Sequence, residues 1–237
     1  LANFFNSFKA VGGSSESYFW LNNTGSLMNQ TICGLFTGIP NYIMVPLAAK
    51  MVKKWGARAT SIIAGLFGFV AYMTLFFVGY HPFGQTFSDH RIFNLMWVIF
   101  GLTICGLPNK ILNVSGQIVT AEALDYMEWK HGLRNEALVT TVQGYFGKLA
   151  TSVTGWLSGM VLTWINYIPL TDSVGNAIPQ TDPKMLNGIW AVFCILPALA
   201  RGLYGICFIL YPIHGKVQQQ MIVELADKRA DRIAEQE

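Results

Sequence analysis

The stretch EALVTTVQGYFGKLATSVTGWLSGMVL, Glu136 to Leu162, is apolar almost throughout, yet Lys148 stands well inside it. An ionised group at bilayer depth costs several kcal/mol unless it snorkels, pairs or faces water. Snorkelling suits residues near the end of a span, and Lys148 is about three turns into its helix. Three more cations, Lys9, Lys110 and Arg201, and one acid, Glu16, share this placement in apolar surroundings. Such groups line a protein-walled aqueous cavity or brace one helix against another. The cavity is the expectation taken here. Gln143, Gly144, Gly147, Ser152 and Gly155 surround Lys148 in sequence and fit either role: small residues admit a ligand or a neighbouring helix. Gln143 and Lys148 are about 140° apart around a helix, so they flank one another. Lys9 and Glu16 are spaced to share one helix face, where they could pair. GLTICGLPNKILNVSGQ, Gly101 to Gln117, sets Asn109, Lys110, Asn113, Ser115 and Gln117 beside Pro108, which is expected to kink its helix. Kinked or broken helices with freed carbonyls line many transporter sites.

Positioning these residues takes membrane helices. Hydrophobic residues are 52% of the 237, and charged ones 12%, about half the usual soluble share. A span needs about 20 mostly apolar residues. Five segments qualify: Leu27–Val52, Ser61–Tyr80, Ile92–Thr120, Glu136–Tyr167 and Asn187–Pro212. A sixth, Leu1–Leu21, carries Lys9, Gly12, Gly13 and Glu16 but has a strong aromatic side. It is read as a span with a polar inner face, against the alternative of a re-entrant or interfacial segment. The expected fold class is therefore an all-α membrane protein of six transmembrane helices over residues 1–213, followed by a polar tail at 214–237, helical or disordered.

Loop charge sets the orientation. One side collects Lys50, Lys53, Lys54, Arg58, Lys130, Arg134, Lys216, Lys228, Arg229 and Arg232, and the other only Arg91 and Lys184. The positive-inside rule puts the first set in the cytoplasm. Both termini are then cytoplasmic in a multi-pass protein of the inner (plasma) membrane. The outer loops, Gly79–Phe93 and Ile168–Lys184, are rich in turn-forming residues. On the inner side, Asp125, Glu128, Lys130, Arg134 and Glu136 crowd the junction of two helices. Opposite charges on neighbouring helix ends can hold the inner face shut, and Glu136 suits a helix N-terminus. Topology control alone is the simpler reading.

Several classes are excluded. A formal charge of +3 with no dense basic run gives no nucleic-acid partner. No nucleophile elbow, zinc-protease or phosphate-loop motif occurs, so no enzyme is expected. His81, His90, His131 and His214 have no metal-ligand spacing, and no metal or cofactor is expected. Cys33, Cys105, Cys194 and Cys207 read as reduced, buried thiols.

DYMEWKHGLRNE, Asp125 to Glu136, followed by the Gln143 and Lys148 helix, resembles the glycoside–pentoside–hexuronide:cation symporters of the major facilitator superfamily. That family carries an Asp-Tyr-x-Glu-x-Lys-x-x-x-Arg-x-Glu signature between its tenth and eleventh helices. Here the positions are Asp125, Tyr126, Glu128, Lys130, Arg134 and Glu136. Weaker matches are YFWLNNTG (Tyr18–Gly25), KKWGAR (Lys53–Arg58) and the segment from Gly188 to Ala198. The resemblance runs to about residue 213. It implies helices seven to twelve, the C-terminal half of a twelve-helix carrier, with an N-terminal half as partner that bears most of the cation site. It further implies cation-coupled (Na⁺ or H⁺) symport of a sugar, glycoside or hexuronide, with Lys148 near the sugar and cation sites.

The sequence departs from the pattern at helix ten, where Asn113 occupies a region in which some carriers place an aromatic. Lys110 is an additional cation there, suited to an anionic sugar such as a hexuronide. The other readings are a lipid or lysolipid carrier of the same superfamily, whose phosphate head group a deep cation would hold, and a non-transporting membrane subunit or sensor with this fold.

Overall fold

The computed structural model describes residues 2–84, 86–168, 170, 178–213 and 215–234. His214, residues 169 and 171–177 of the loop within Ile168–Lys184, and the side chains of Lys216, Arg229 and Arg232 lie outside the described residues. Apolar runs of this length have one stable form in hydrocarbon, the helix, because every peptide group must bond within its own segment. The described residues are accordingly helical and contain no strand.

The chain opens with short pieces: α1 (Ala2–Ser7), α2 (Lys9–Ser14), α3 (Glu16–Tyr18) and a π-helical turn, Phe19–Asn23. Then come α4 (Met28–Val78), α5 (Arg91–His131), α6 (Glu136–Trp164), α7 (Pro183–Ile209) and α8 (Lys216–Ala234). The continuous span expected over Leu1–Leu21 is thus an interrupted one. The run of weak helix formers from Gly12 to Ser15 accounts for the break, and Ser15 N–H bonds Gly12 O in a tighter turn. Among the described residues three helices, α4, α5 and α7, are long and apolar enough to cross a membrane.

Helix α4 doubles back on itself. Asn41 lies against Gly106 and Leu75 against Gly101. Along a straight helix Asn41 and Leu75 would stand about 50 Å apart, whereas Gly101 and Gly106 are within about 8 Å of one another. The reversal is at Gly56, whose φ of 81° and ψ of 159° break the helix. An L side chain is strained in that conformation. The two arms of α4 therefore run antiparallel, matching the segments expected at Leu27–Val52 and Ser61–Tyr80. Pro108, where a kink is expected, lies inside α5, which continues through it.

Helices α4, α5 and α7 form the packed centre. The second arm of α4 meets α7 backbone to backbone. A Cβ on Gly65 would stand 2.8 Å from Gly205 Cα and 2.9 Å from Arg201 O. Small residues allow that approach where no hydrophobic effect drives helices together. One end of the bundle is filled by an aromatic cluster of Phe19, Trp20, Tyr80, Trp190 and Phe193, with Phe19 and Phe193 stacked at 5.0 Å. Nearer the middle, Ala48, Ala64, Ile111, Leu112, Tyr204 and Phe208 make a second core. Helix α6 is different: it rests mainly on α1 and α2, and only Ala150, Thr154 and Val161 are buried.

The tail takes the helical one of its two expected forms and docks. Met221, Leu225 and Ile213 pack under Tyr126, Trp129 and Tyr211. Glu224 accepts a hydrogen bond from Trp129 Nε1 at 2.6 Å. Glu122 accepts from Tyr211 Oη and Gln218 Nε2, both at 2.8 Å. Cys33, Cys105 and Cys194 are buried free thiols, and Cys207 is half-buried.

Candidate functional site

The first segment, both flanking arms and α7 converge on a cavity of ≈400 Å³. Its wall includes Lys9, Glu16, Tyr72, Asn109 and Arg201. The break after Ser14 makes this arrangement possible. Lys9 ends on α2 and Glu16 on α3, and the two turn to different partners instead of pairing as their spacing predicted. Lys9 Nζ donates to Asn109 Oδ1 at 3.0 Å. Glu16 Oε1 accepts from Trp20 Nε1 at 3.4 Å.

Arg201 is 1% exposed. Its Nη1 donates to Asn6 Oδ1 at 2.6 Å, while its Nε has no partner. The ion pairs among the described residues all belong to Arg134, so no carboxylate compensates Arg201 or Lys9. The like charges of Arg201 and Lys110 both act on the Lys9 ammonium. A buried cation lacking a carboxylate is costly. The pocket wall thus holds two cations bonded to neutral amides, with the Glu16 carboxyl beside them but in no ion pair with either.

The other expected site residues divide into two places. Gln143 lines a separate ≈310 Å³ cavity between α1, α5, α6 and α7, where its Nε2 donates to Thr120 Oγ1 at 3.0 Å. Lys148 and Gly144 face an open hollow with Ser7, Gly147, Thr151 and Ser152. Ser7 and Gly147 border both spaces. Gly144, Gly147 and Gly155 have no neighbour within 4 Å of where a Cβ would stand, so none of them seats a helix in this chain. Asn113 is exposed on α5. Lys110 Nζ lies 4.7 Å from the ring centroid of Tyr42, a cation–π contact.

The signature acids gather at the opposite end from the aromatic cluster. Arg134 reaches Asp125 at 3.3 Å, Glu128 at 3.6 Å and Glu136 at 3.1 Å. Glu128 is buried, and Arg134 is half-exposed. Lys130 stays apart, over the Tyr126 ring at 5.6 Å. One arginine thus ties the end of α5 to the start of α6, where Asn135 caps the helix by accepting from Leu138 N. Nearby, Arg58 donates from Nε to Phe208 O at 3.1 Å, binding the α4 turn to the C-terminus of α7.

Asn6, Tyr42 and Glu122 join these networks without having been named as site residues. Asn6 had a usable signal, being an amide among the phenylalanines of the first segment.

The family described as MFS/sugar transport protein matches residues 9–215. The isoprimeverose transporter of Lactiplantibacillus pentosus is 22% identical over 92% of this chain and 41% of its own length. The uncharacterized symporter YjmB of Bacillus subtilis (strain 168) is 29% identical over 89% of this chain and 42% of its own. The glucuronide carrier protein homolog of Escherichia coli (strain K12) is 23% identical over 93% of this chain and 44% of its own. The chain spans less than half the length of these curated relatives. The buried cations, the apolar helices and the Asp125–Glu136 network are thus features of a multi-pass membrane protein, and the chain belongs to the MFS/sugar transport family, in its glycoside–pentoside–hexuronide branch.

Proposed function

We propose that this chain supplies the C-terminal six transits of a cation-coupled carrier of anionic sugars that works by alternating access. The six are the interrupted first segment, the two arms of α4, and α5, α6 and α7. An N-terminal half completes the substrate chamber against the open face of α6 and holds most of the Na⁺ or H⁺ site. The termini lie in the cytoplasm of the inner membrane, on the side rich in Lys and Arg.

The observation that carries the reading is Arg201, buried beside Lys9 with no carboxylate compensating either. A carboxylated or sulfonated sugar would supply the missing charge, and its hydroxyls would bond to amides such as Asn109. Lys148 and Gln143 would approach the same sugar from the far side of α1. Glu16 would limit the excess of positive charge, so that the sugar is held firmly enough to enter and loosely enough to leave. The relative named as a glucuronide carrier homolog supports this class. No observation favours the lipid carrier or the non-transporting subunit.

In the gate, Arg134 would hold the cytoplasmic ends of α5 and α6 together and release them as the site changes sides. The test of the substrate class is uptake by the complete carrier in sealed vesicles under an imposed cation gradient. Unlabelled glucuronide is expected to compete better than a neutral galactoside of equal size. A preference for the galactoside would remove the anionic reading.

A further inference from the structure

A second cavity, of ≈660 Å³, opens at the end of the fold remote from Arg134. Its wall is contributed by the end of the π-helical turn, the segment leading from α4 to α5, and the start of α7. Its volume falls in the ~300–1,000 Å³ range of small-molecule sites.

The walls are tied in place. Asn94, fully buried, accepts from Phe83 N at 3.3 Å and donates to Phe87 O at 3.3 Å. Trp97 Nε1 donates to Gly79 O at 3.0 Å. Across the opening, Asn22 Oδ1 accepts from Gln180 N at 2.9 Å, and Asn23 Nδ2 donates to Leu186 O at 3.0 Å. That pinning leaves the Asn23 amide buried on the cavity wall, its Oδ1 unsatisfied except by the neighbouring Tyr80 hydroxyl. A ligand hydroxyl would add a donor to that acceptor. Beside it are the largely buried rings of Tyr80 and Phe87. At the rim stand the exposed side chains of Asn187 and Arg91.

A hydroxyl acceptor, an aromatic wall, a free amide and one guanidinium are the groups that recognise a sugar ring with a negative substituent. We propose that this cavity is a second sugar-binding site, at which a sugar docks on the outer side before it passes the aromatic cluster to the Lys9–Arg201 pocket. The proposal rests on the reading that a sugar crosses this fold. The two cavities flank the same aromatic cluster: Tyr80 lines one and Phe193 the other.

Cysteine protection tests it in the complete carrier. The native thiols are buried or half-buried, so background labelling is low. Asn187→Cys reports on the outer cavity and Thr37→Cys on the inner one. Each is labelled with a membrane-impermeant maleimide, with and without glucuronide. Protection of about tenfold is expected at Asn187→Cys once sugar is in about tenfold excess over its dissociation constant. That protection persists when Arg201→Gln, or Lys9→Gln should the first variant misfold, abolishes protection at Thr37→Cys. Loss of both protections together would overturn the second site and leave the inner one. Protection at Thr37→Cys alone in the unaltered background would do the same. No protection at either cysteine, with no uptake, would overturn the sugar reading along with the proposal.

Discussion

At the scale of single residues, the charged groups in apolar runs were conspicuous in the sequence, but their partners were not. Lys9, Glu16 and Arg201 draw attention because ionised side chains are rare in hydrocarbon. Their bonds, however, join residues far apart in the chain: Lys9 to Asn109 and Arg201 to Asn6. No local periodicity encodes such pairings. The spacing of Lys9 and Glu16 predicted a shared helix face; both do line one cavity, but they bond to different partners instead of pairing. Lys148 was the most prominent residue in the sequence, and the structure gives it a hollow more open than the cavity of Lys9 and Arg201. The signature charges were legible one by one. Their convergence on a single arginine was not, because it depends on how the turn after α5 is bent. Arg134→Gln takes an ion-pair partner from the buried Glu128 and from Asp125 and Glu136, and is expected to destabilise this end by about 1–3 kcal/mol. In transport assays it should lower the maximal rate more than the apparent sugar affinity. A variant with normal rate and weakened affinity would place Arg134 in sugar recognition instead.

At the scale of elements, apolar run length located α4 to α7 well, since hydrocarbon leaves the backbone few alternatives to a helix. Reversals were legible where charge marks them, as in KKWGAR around Gly56. Interruptions were less so. The first segment is broken although its aromatic content resembles a span, because a cluster of Gly and Ser tips a local balance that hydropathy does not record. Pro108 marks the expected kink in α5, and the helix continues through it. Two substitutions probe these features. Gly56→Ala puts an L side chain where only glycine is relaxed, and should lower stability by about 1–3 kcal/mol. Gly65→Leu forces α4 away from α7 and should cost a similar free energy, read as a lower melting temperature. Gly34→Leu, on an open face of α4, is the control and should melt like the parent. Equal melting of the Gly65 and Gly34 variants in detergent would show that the α4–α7 contact is looser than described. The tail was legible as helical or disordered, but its docking was hidden, being a tertiary fit of Met221 and Leu225 under Tyr126 and Trp129. Met221→Asp buries a charge there and should free α8, read as faster proteolysis of the tail with α4 to α7 intact.

At the scale of the whole molecule, the family was legible in a charged signature, and a lopsided loop charge carries the proposed orientation. The candidate pocket came only with the fold, since it draws on the first segment, α4, α5 and α7 together. In the proposed carrier, the exposed face of α6 and the open hollow at Lys148 form one half of a two-part chamber. Vesicles containing this chain alone are therefore expected to show no gradient-driven sugar uptake, with uptake restored when a six-helix N-terminal half is supplied. The central claim is that the Lys9–Arg201 pair reads a negative charge on the sugar. The most direct measurement is the ratio of glucuronide to neutral galactoside affinity in the complete carrier, before and after Arg201→Gln. The account predicts that the preference for glucuronide falls by about tenfold or more, while galactoside binding changes little. An unchanged ratio, with both sugars weakened alike, would contradict it.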